Sequence, residues 1–281
     1  MSSKKLSANE IRQWREDGVV CLRGVFDQGW MDILETGFEN ACRNPSALAK
    51  DYAKDGKGSF LTDHGMYRRV EELQNFIFES PVAELAAGLM GADAVNLIDD
   101  HLLLKEPGTD NPTYWHQDQP YFNFAGEDFV SLWIPIDPVD ESNGTMRFVK
   151  GSHLWGKQFH PVRIGLGEVV EEAEDFDGLA PDIDGHQDKH DVLSWSLSPG
   201  DCFAFHGKML HAAFANSTGI KRRRAFSRHP FCRRASFRRP FCRPSPKPVS
   251  RGVCLCAFAC ACLGPLDACT MAPDRGLGHR D

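Results

Sequence analysis

Two kinds of hydrophobic spacing divide the chain. Over the first ninety residues apolar positions recur at helical intervals; beyond Val95 they fall in short blocks that favour strands. Ser7-Ala8-Asn9-Glu10 predicts a capped helix start, with Ile11 and Trp14 at helical spacing and Gly18 as its end. Val19-Val20-Cys21-Leu22 reads as a short strand, and a second helix is predicted over about 28–42. Residues 45–66 are polar and rich in Gly and Lys, so they are expected to be a loop. Residues 71–90 predict helices broken at Ser80-Pro81.

The second pattern predicts strands at 95–98, 101–105, 129–136, 145–149, 191–197, 201–206 and 222–227. Glu106-Pro107-Gly108, Ser142-Asn143-Gly144, Lys150-Gly151-Ser152 and Ser198-Pro199-Gly200 punctuate them as turns, and Asp99-Asp100 reads as a further, solvated turn. Many short strands with such turns predict a mainly β fold, a sandwich or small barrel, flanked by the early helices. The acidic stretch 157–190 shows no clear period and is a candidate lid over the barrel mouth.

Charge changes this picture at one place. The net charge is −7, but residues 227–281 hold ten Lys/Arg against three Asp/Glu, which leaves −14 on residues 1–226. Such an acidic body does not suit nucleic acid. No apolar run approaches the ~20 residues of a membrane span, and the start has no signal-peptide core, so a cytoplasmic protein acting on a small molecule is expected, as monomer or homodimer. Cys21, Cys42 and Cys202 are scattered and read as reduced thiols, while seven cysteines crowd the region beyond residue 226. Residues 1–227 are therefore read as one catalytic domain. Residues 228–281 are read as an Arg/Pro/Cys-rich tail, disordered or out of frame, because composition switches inside a strand.

The chemistry sits at Tyr114-Trp115-His116-Gln117-Asp118-Gln119. In a strand, residues i and i+2 share a face, so His116 and Asp118 can reach one metal. His211, about ninety residues on, supplies a third ligand. Two histidines and one carboxylate leave open positions, as iron(II) needs if it is to bind a co-substrate and O₂. Lys221-Arg222-Arg223-Arg224 follows, and an arginine aimed inward could clamp the far carboxylate of 2-oxoglutarate. His206 and His153 read as structural histidines, and Trp115, Tyr121, Phe122 and Phe124 as pocket or core aromatics.

With these residues in place, the chain resembles the phytanoyl-CoA dioxygenase family over about residues 8–226. The likeness is carried by Lys105-Glu106-Pro107-Gly108, His116-Gln117-Asp118, Leu132-Trp133-Ile134-Pro135-Ile136, Asn143-Gly144, Phe148-Val149-Lys150-Gly151-Ser152-His153, Pro199-Gly200-Asp201 and His211. The resemblance implies a double-stranded β-helix, a cupin-like jelly-roll barrel. It implies iron at His116, Asp118 and His211, with Trp133 and His101 beside 2-oxoglutarate. For the clamp it offers two positions. Counting eleven residues from His211 gives Arg222, and counting two back from Ala225 gives Arg223, which strand register favours. Ala213 stands where the family carries a hydroxyl. The implied reaction is hydroxylation of a small molecule with release of succinate and CO₂. Desaturation, epoxidation and a catalytically silent ligand-binding barrel are the alternatives. The family's halogenases lack the carboxylate that Asp118 supplies here.

Overall fold

The computed structural model describes residues 5–53, 58–122, 124–170, 175–232, 236–237 and 253–255. Four helices, α1 (Ala8–Asp17), α2 (Gln28–Arg43), α3 (Glu71–Glu79) and α4 (Val82–Met90), lie in its first third. The Ser7 hydroxyl and the Glu10 carboxylate cap α1 reciprocally. Gly18, at φ 84°, ends it in the left-handed conformation that a side chain would strain. Pro81 interrupts the path from α3 to α4, as the sequence predicts.

The strands are β1 (Val19–Leu22), β2 (Lys50–Asp51), β3 (Phe60–His64), β4 (Val95–Lys105), β5 (Thr113–His116), β6 (Phe124–Ala125), β7 (Val130–Pro135), β8 (Met146–Val149), β9 (Val192–Ser194), β10 (Cys202–His206), β11 (His211–Ala213), β12 (Arg223–Cys232), β13 (Ser236–Phe237) and β14 (Val253–Leu255). A large sheet runs β1-β10-β7-β12-β4-β3-β2, with β14 also paired to β4, and a four-stranded sheet runs β5-β11-β8-β9. Neighbours are antiparallel except β14 with β4. These two sheets form the jelly-roll expected from the sequence.

Alternation decides what each strand gives to each side. Cys202 and Ala204 of β10 join the core shared with the helices, while Phe203 and Phe205 join the core between the sheets. On β4, Leu102 and Leu104 face the helices and Leu103 the interior; on β12, Phe226 and Ala225 divide in the same way. The interior core also takes Met146 and Phe148 of β8 and Ala213 of β11, which locks the small sheet over the large one.

Three expectations need correction. The segment 45–66 is not one loop: β2 and β3 form a hairpin whose longer arm pairs with β4. Asp99-Asp100 is not a turn: β4 is continuous from Val95 to Lys105, and Asp100 is fully buried. Nor does the last strand, expected over 222–227, stop at Ser227. β12 continues to Cys232 opposite β4, with a register shift between His229 and Pro230. The rest of the Arg/Pro/Cys-rich tail, apart from β13 and β14, lies outside the described residues.

Candidate active site

His116 ends β5 and His211 begins β11, and the two stand opposite each other in register, so their rings meet with centroids 4.1 Å apart. Asp118 is not part of the strand. Its backbone is helical (φ −75°, ψ −40°) and starts a tight 3₁₀ turn, which swings the carboxylate back toward both imidazoles. The expected pairing of His116 with Asp118 is present, but a turn produces it rather than strand alternation. Asp118 Oδ1 lies 3.6 Å from His116 Nε2 and 3.4 Å from His211 Nε2. One ligand atom from each residue falls within 4.8 Å of the others, and all three residues are buried.

Each histidine is held by a carbonyl two residues upstream. His116 Nδ1 donates to the Tyr114 carbonyl at 2.7 Å, and His211 Nδ1 to that of Met209 at 2.9 Å. Each Nδ1 therefore carries a proton, and each ring turns its Nε2 toward the same Asp118 oxygen. Burial, and then the neighbouring His211, push His116 below the usual histidine range. Two imidazole nitrogens and a carboxylate oxygen gathered in one buried spot form a donor set open to a cation. The donor set therefore fits a divalent metal, with the second ring nitrogen fixed as metal-binding histidines require. The other carboxylate oxygen, Oδ2, accepts from the Ser131 hydroxyl, which also lies 3.0 Å from His229 Nδ1.

His116 and Asp118 open onto a cleft of about 680 Å³, including its mouth. Tyr121, Phe122, Val162 and Ile164 make its apolar wall, and His64, His101 and His229 its polar one. The stretch expected as a lid supplies Val162, Arg163, Ile164 and Val170 along this wall, tied down where the Tyr121 hydroxyl donates to the Val162 carbonyl. Residues 171–174 lie outside the described residues. His101 is stacked on His64 with centroids 3.9 Å apart, and its Nε2 has no partner among the described residues.

Strand parity separates the arginines. Arg222 points outward to Glu39 and Glu106 at 3.0 and 3.1 Å, and Arg224 to Asp137, Glu35 and Glu39. Arg223 points into the barrel and is 1% exposed, with its guanidinium carbon 5.8 Å from the centre of the Trp133 ring. Its Nη1 donates a long bond of 3.3 Å to the Leu103 carbonyl, and its Nε has no partner among the described residues. Burial pushes the guanidinium down to about 9, still protonated near neutrality. Gly144, at φ 100°, lets the chain pass close by it: a Cβ there would stand 3.4 Å from Arg223 Nε and 2.9 Å from the Phe214 carbonyl. A buried, incompletely bonded guanidinium on the inward face of β12 fits a carboxylate partner.

The remaining expectations fall out as follows. His206 donates from Nε2 to the Glu127 carbonyl and accepts the Lys208 amide on Nδ1, so both nitrogens are used away from the triad. His153 lies against the Arg15 carbonyl at the end of α1. Trp115 bonds Asp184 outside the cleft. Tyr121 and Phe122 line the cleft, and the side chain of Phe124 lies outside the described residues. The sequence reading missed His64, Ser131 and His229. Ser131 was within reach, because it shares parity with inward Trp133.

Fold and site together define an oxygenase of the iron- and 2-oxoglutarate-dependent class, with O₂ as oxidant. The chain belongs to the phytanoyl-CoA dioxygenase family, whose description matches residues 14–225. It is 24% identical over 243 residues to a probable phytanoyl-CoA dioxygenase of Caenorhabditis elegans, an alignment covering 76% of this chain and 72% of that one. It is 25% identical over 167 residues to a probable alpha-ketoglutarate-dependent hypophosphite dioxygenase of Stutzerimonas stutzeri, covering 56% of this chain and 55% of the relative. Among solved structures it is similar to the epimerase SnoN in complex with Fe3+, alpha ketoglutarate and nogalamycin RO. There the TM-score is 0.67 at 21% identity, covering 89% of this chain and 95% of the other. At that identity the likeness speaks for the fold.

Proposed function

We propose that this protein hydroxylates a small molecule in the cleft, with His116, Asp118 and His211 holding iron(II) and Arg223 binding the far carboxylate of 2-oxoglutarate. The observation that carries the reading is the meeting of His116 Nε2, His211 Nε2 and Asp118 Oδ1 in one buried spot, with each Nδ1 tied to a backbone carbonyl. When bound, the iron supplies O₂ activation coupled to decarboxylation of 2-oxoglutarate to succinate and CO₂. The protein's own residues orient the reactants. Ser131 donates to Asp118 Oδ2 and leaves Oδ1 for the metal. Trp133 and His101 flank the co-substrate, and Tyr121 and Phe122 wall off the substrate side from water. The presence of Asp118 favours hydroxylation over halogenation. No helix among the described residues is long and apolar enough to cross a membrane. A cytoplasmic location belongs to the same reading, and Cys21, Cys42 and Cys202 form no disulfide among the described residues.

Anaerobic titration of iron(II), read by calorimetry, tests the ligand set, with succinate release as a second readout. His116→Ala and His211→Ala are expected to lose stoichiometric binding, since two ligands hold iron(II) poorly. His206→Ala is expected to keep it. Loss of iron from the His206 variant alone would sink the assignment.

A further inference from the structure

The interior of the barrel holds a second buried cation. Lys105, on β4, stands opposite Arg223, on β12, in the antiparallel register, and both share the inward face with Leu103 and Ala225. Lys105 is 0% exposed. Its ammonium donates to the Phe214 carbonyl at 2.8 Å and lies 4.5 Å from the centre of the Phe60 ring. Among the described residues neither Lys105 nor Arg223 has a carboxylate within ion-pair distance. Asp137, the acid whose charge reaches Arg223, is engaged by Arg224, and Arg147, whose charge reaches Lys105, is engaged by Asp184.

Two like charges side by side in a dry interior repel each other, and each has given up its water. Burial and the adjacent Arg223 accordingly push Lys105 well below the ordinary lysine range. An anion seated between the two groups would relieve both costs. The Phe214 carbonyl that Lys105 holds and Arg223 Nε both border Gly144: a Cβ there would meet them at 2.9 and 3.4 Å, so the two basic side chains converge on one glycine.

We propose that Lys105 is a second anchor for the far carboxylate of 2-oxoglutarate, shared with Arg223. The proposal rests on the co-substrate reading above and extends it. Arg223 offers a planar fork, and Lys105 adds a point charge from the neighbouring strand. Together they make the site select a dicarboxylic 2-oxo acid over a monocarboxylic one. A purely structural lysine, tying β4 to the end of β11 through Phe214, would give no such selection.

The test uses the full chain loaded with manganese(II) and measures binding by calorimetry. Two ligands are compared: 2-oxoglutarate, and 2-oxopentanoate, which carries a methyl in place of the far carboxylate. Lys105→Met is expected to weaken 2-oxoglutarate by about tenfold, the scale of one charged hydrogen bond, and to leave 2-oxopentanoate within about twofold. Ligand-free Lys105→Met is expected to melt no lower than the wild type, because a buried charge is gone. Lys105→Gln keeps a donor for Phe214 and removes only the charge, so it carries the test if the methionine variant does not fold. Unchanged 2-oxoglutarate affinity in either variant overturns the proposal, as does equal weakening of both ligands. Wild-type protein that takes up manganese but no 2-oxoglutarate overturns the co-substrate reading itself, and this proposal with it.

Discussion

Arg223 and Arg228 sit five residues apart on one strand, both at most 1% exposed, and burial pushes both guanidiniums down to about 9. They face opposite sides of the large sheet. Arg223 shares the interior face of Ala225, beside Trp133 and the close-packed Gly144. Arg228 shares the helix-side face of Phe226, and its Nε, Nη1 and Nη2 all lack a partner among the described residues. Asp100 pairs with it in register, yet Asp100 Oδ1 is also without a partner, and burial raises that carboxyl to about 7. The contrast shows that burial alone does not mark a functional charge. A buried cation is useful where the surroundings are shaped for an anion, and a liability where they are shaped for hydrocarbon. Arg228 lies one residue past Ser227, where composition changes character.

Arg223→Leu is expected to weaken 2-oxoglutarate by about ten- to a hundredfold, the worth of a paired guanidinium at about 1.5–3 kcal/mol. Calorimetry on the metal-loaded protein reads this directly. If Arg223→Leu binds normally and Arg228→Leu does not, the two roles are reversed. Next in size, Arg228→Leu is expected to stabilise the fold by about 1–3 kcal/mol, because it replaces an unpaired buried charge with packing. A urea denaturation midpoint that falls instead would show that Arg228 has a partner. The smallest effect belongs to Arg222→Ala, whose ion pairs with Glu39 and Glu106 are 30–37% exposed. Stability should change by less than about 1 kcal/mol, and 2-oxoglutarate affinity by no more than about twofold. A larger loss of affinity would move the clamp to Arg222.

Much of this was legible in the sequence, and the failures have physical causes. The caps of α1, the break before α4 and most strands follow from local chemistry, so they could be read directly. Arg223 faces inward and Arg222 outward, as period-two alternation predicts and a longer loop does not disturb. β3 was missed because its five residues, Phe-Leu-Thr-Asp-His, alternate against a site rather than against a core. Thr62 and His64 face the cleft, so the strand looks polar. Asp99-Asp100 misled in the same way, since neither acid meets the solvent that a turn would offer: Asp99 binds His64 and Asp100 accepts the Tyr67 amide. Lys105 was quoted only as part of a motif. Parity with His101 already placed a charge on the inward face, and that signal was available. His229 lay beyond the break in composition, where the expected tail hid a strand.

The bonds from His116 to Tyr114 and from His211 to Met209 have a wider meaning. Each of these rings takes its aim from a carbonyl two residues away on its own chain segment. Of the cleft wall, Tyr121 also packs edge-on against His116, with centroids 5.8 Å apart. Phe122, Val162 or Ile164 can therefore be exchanged with little effect on the aim of either imidazole. Such an arrangement is modular: much of the wall can change while the paired histidines keep their posture.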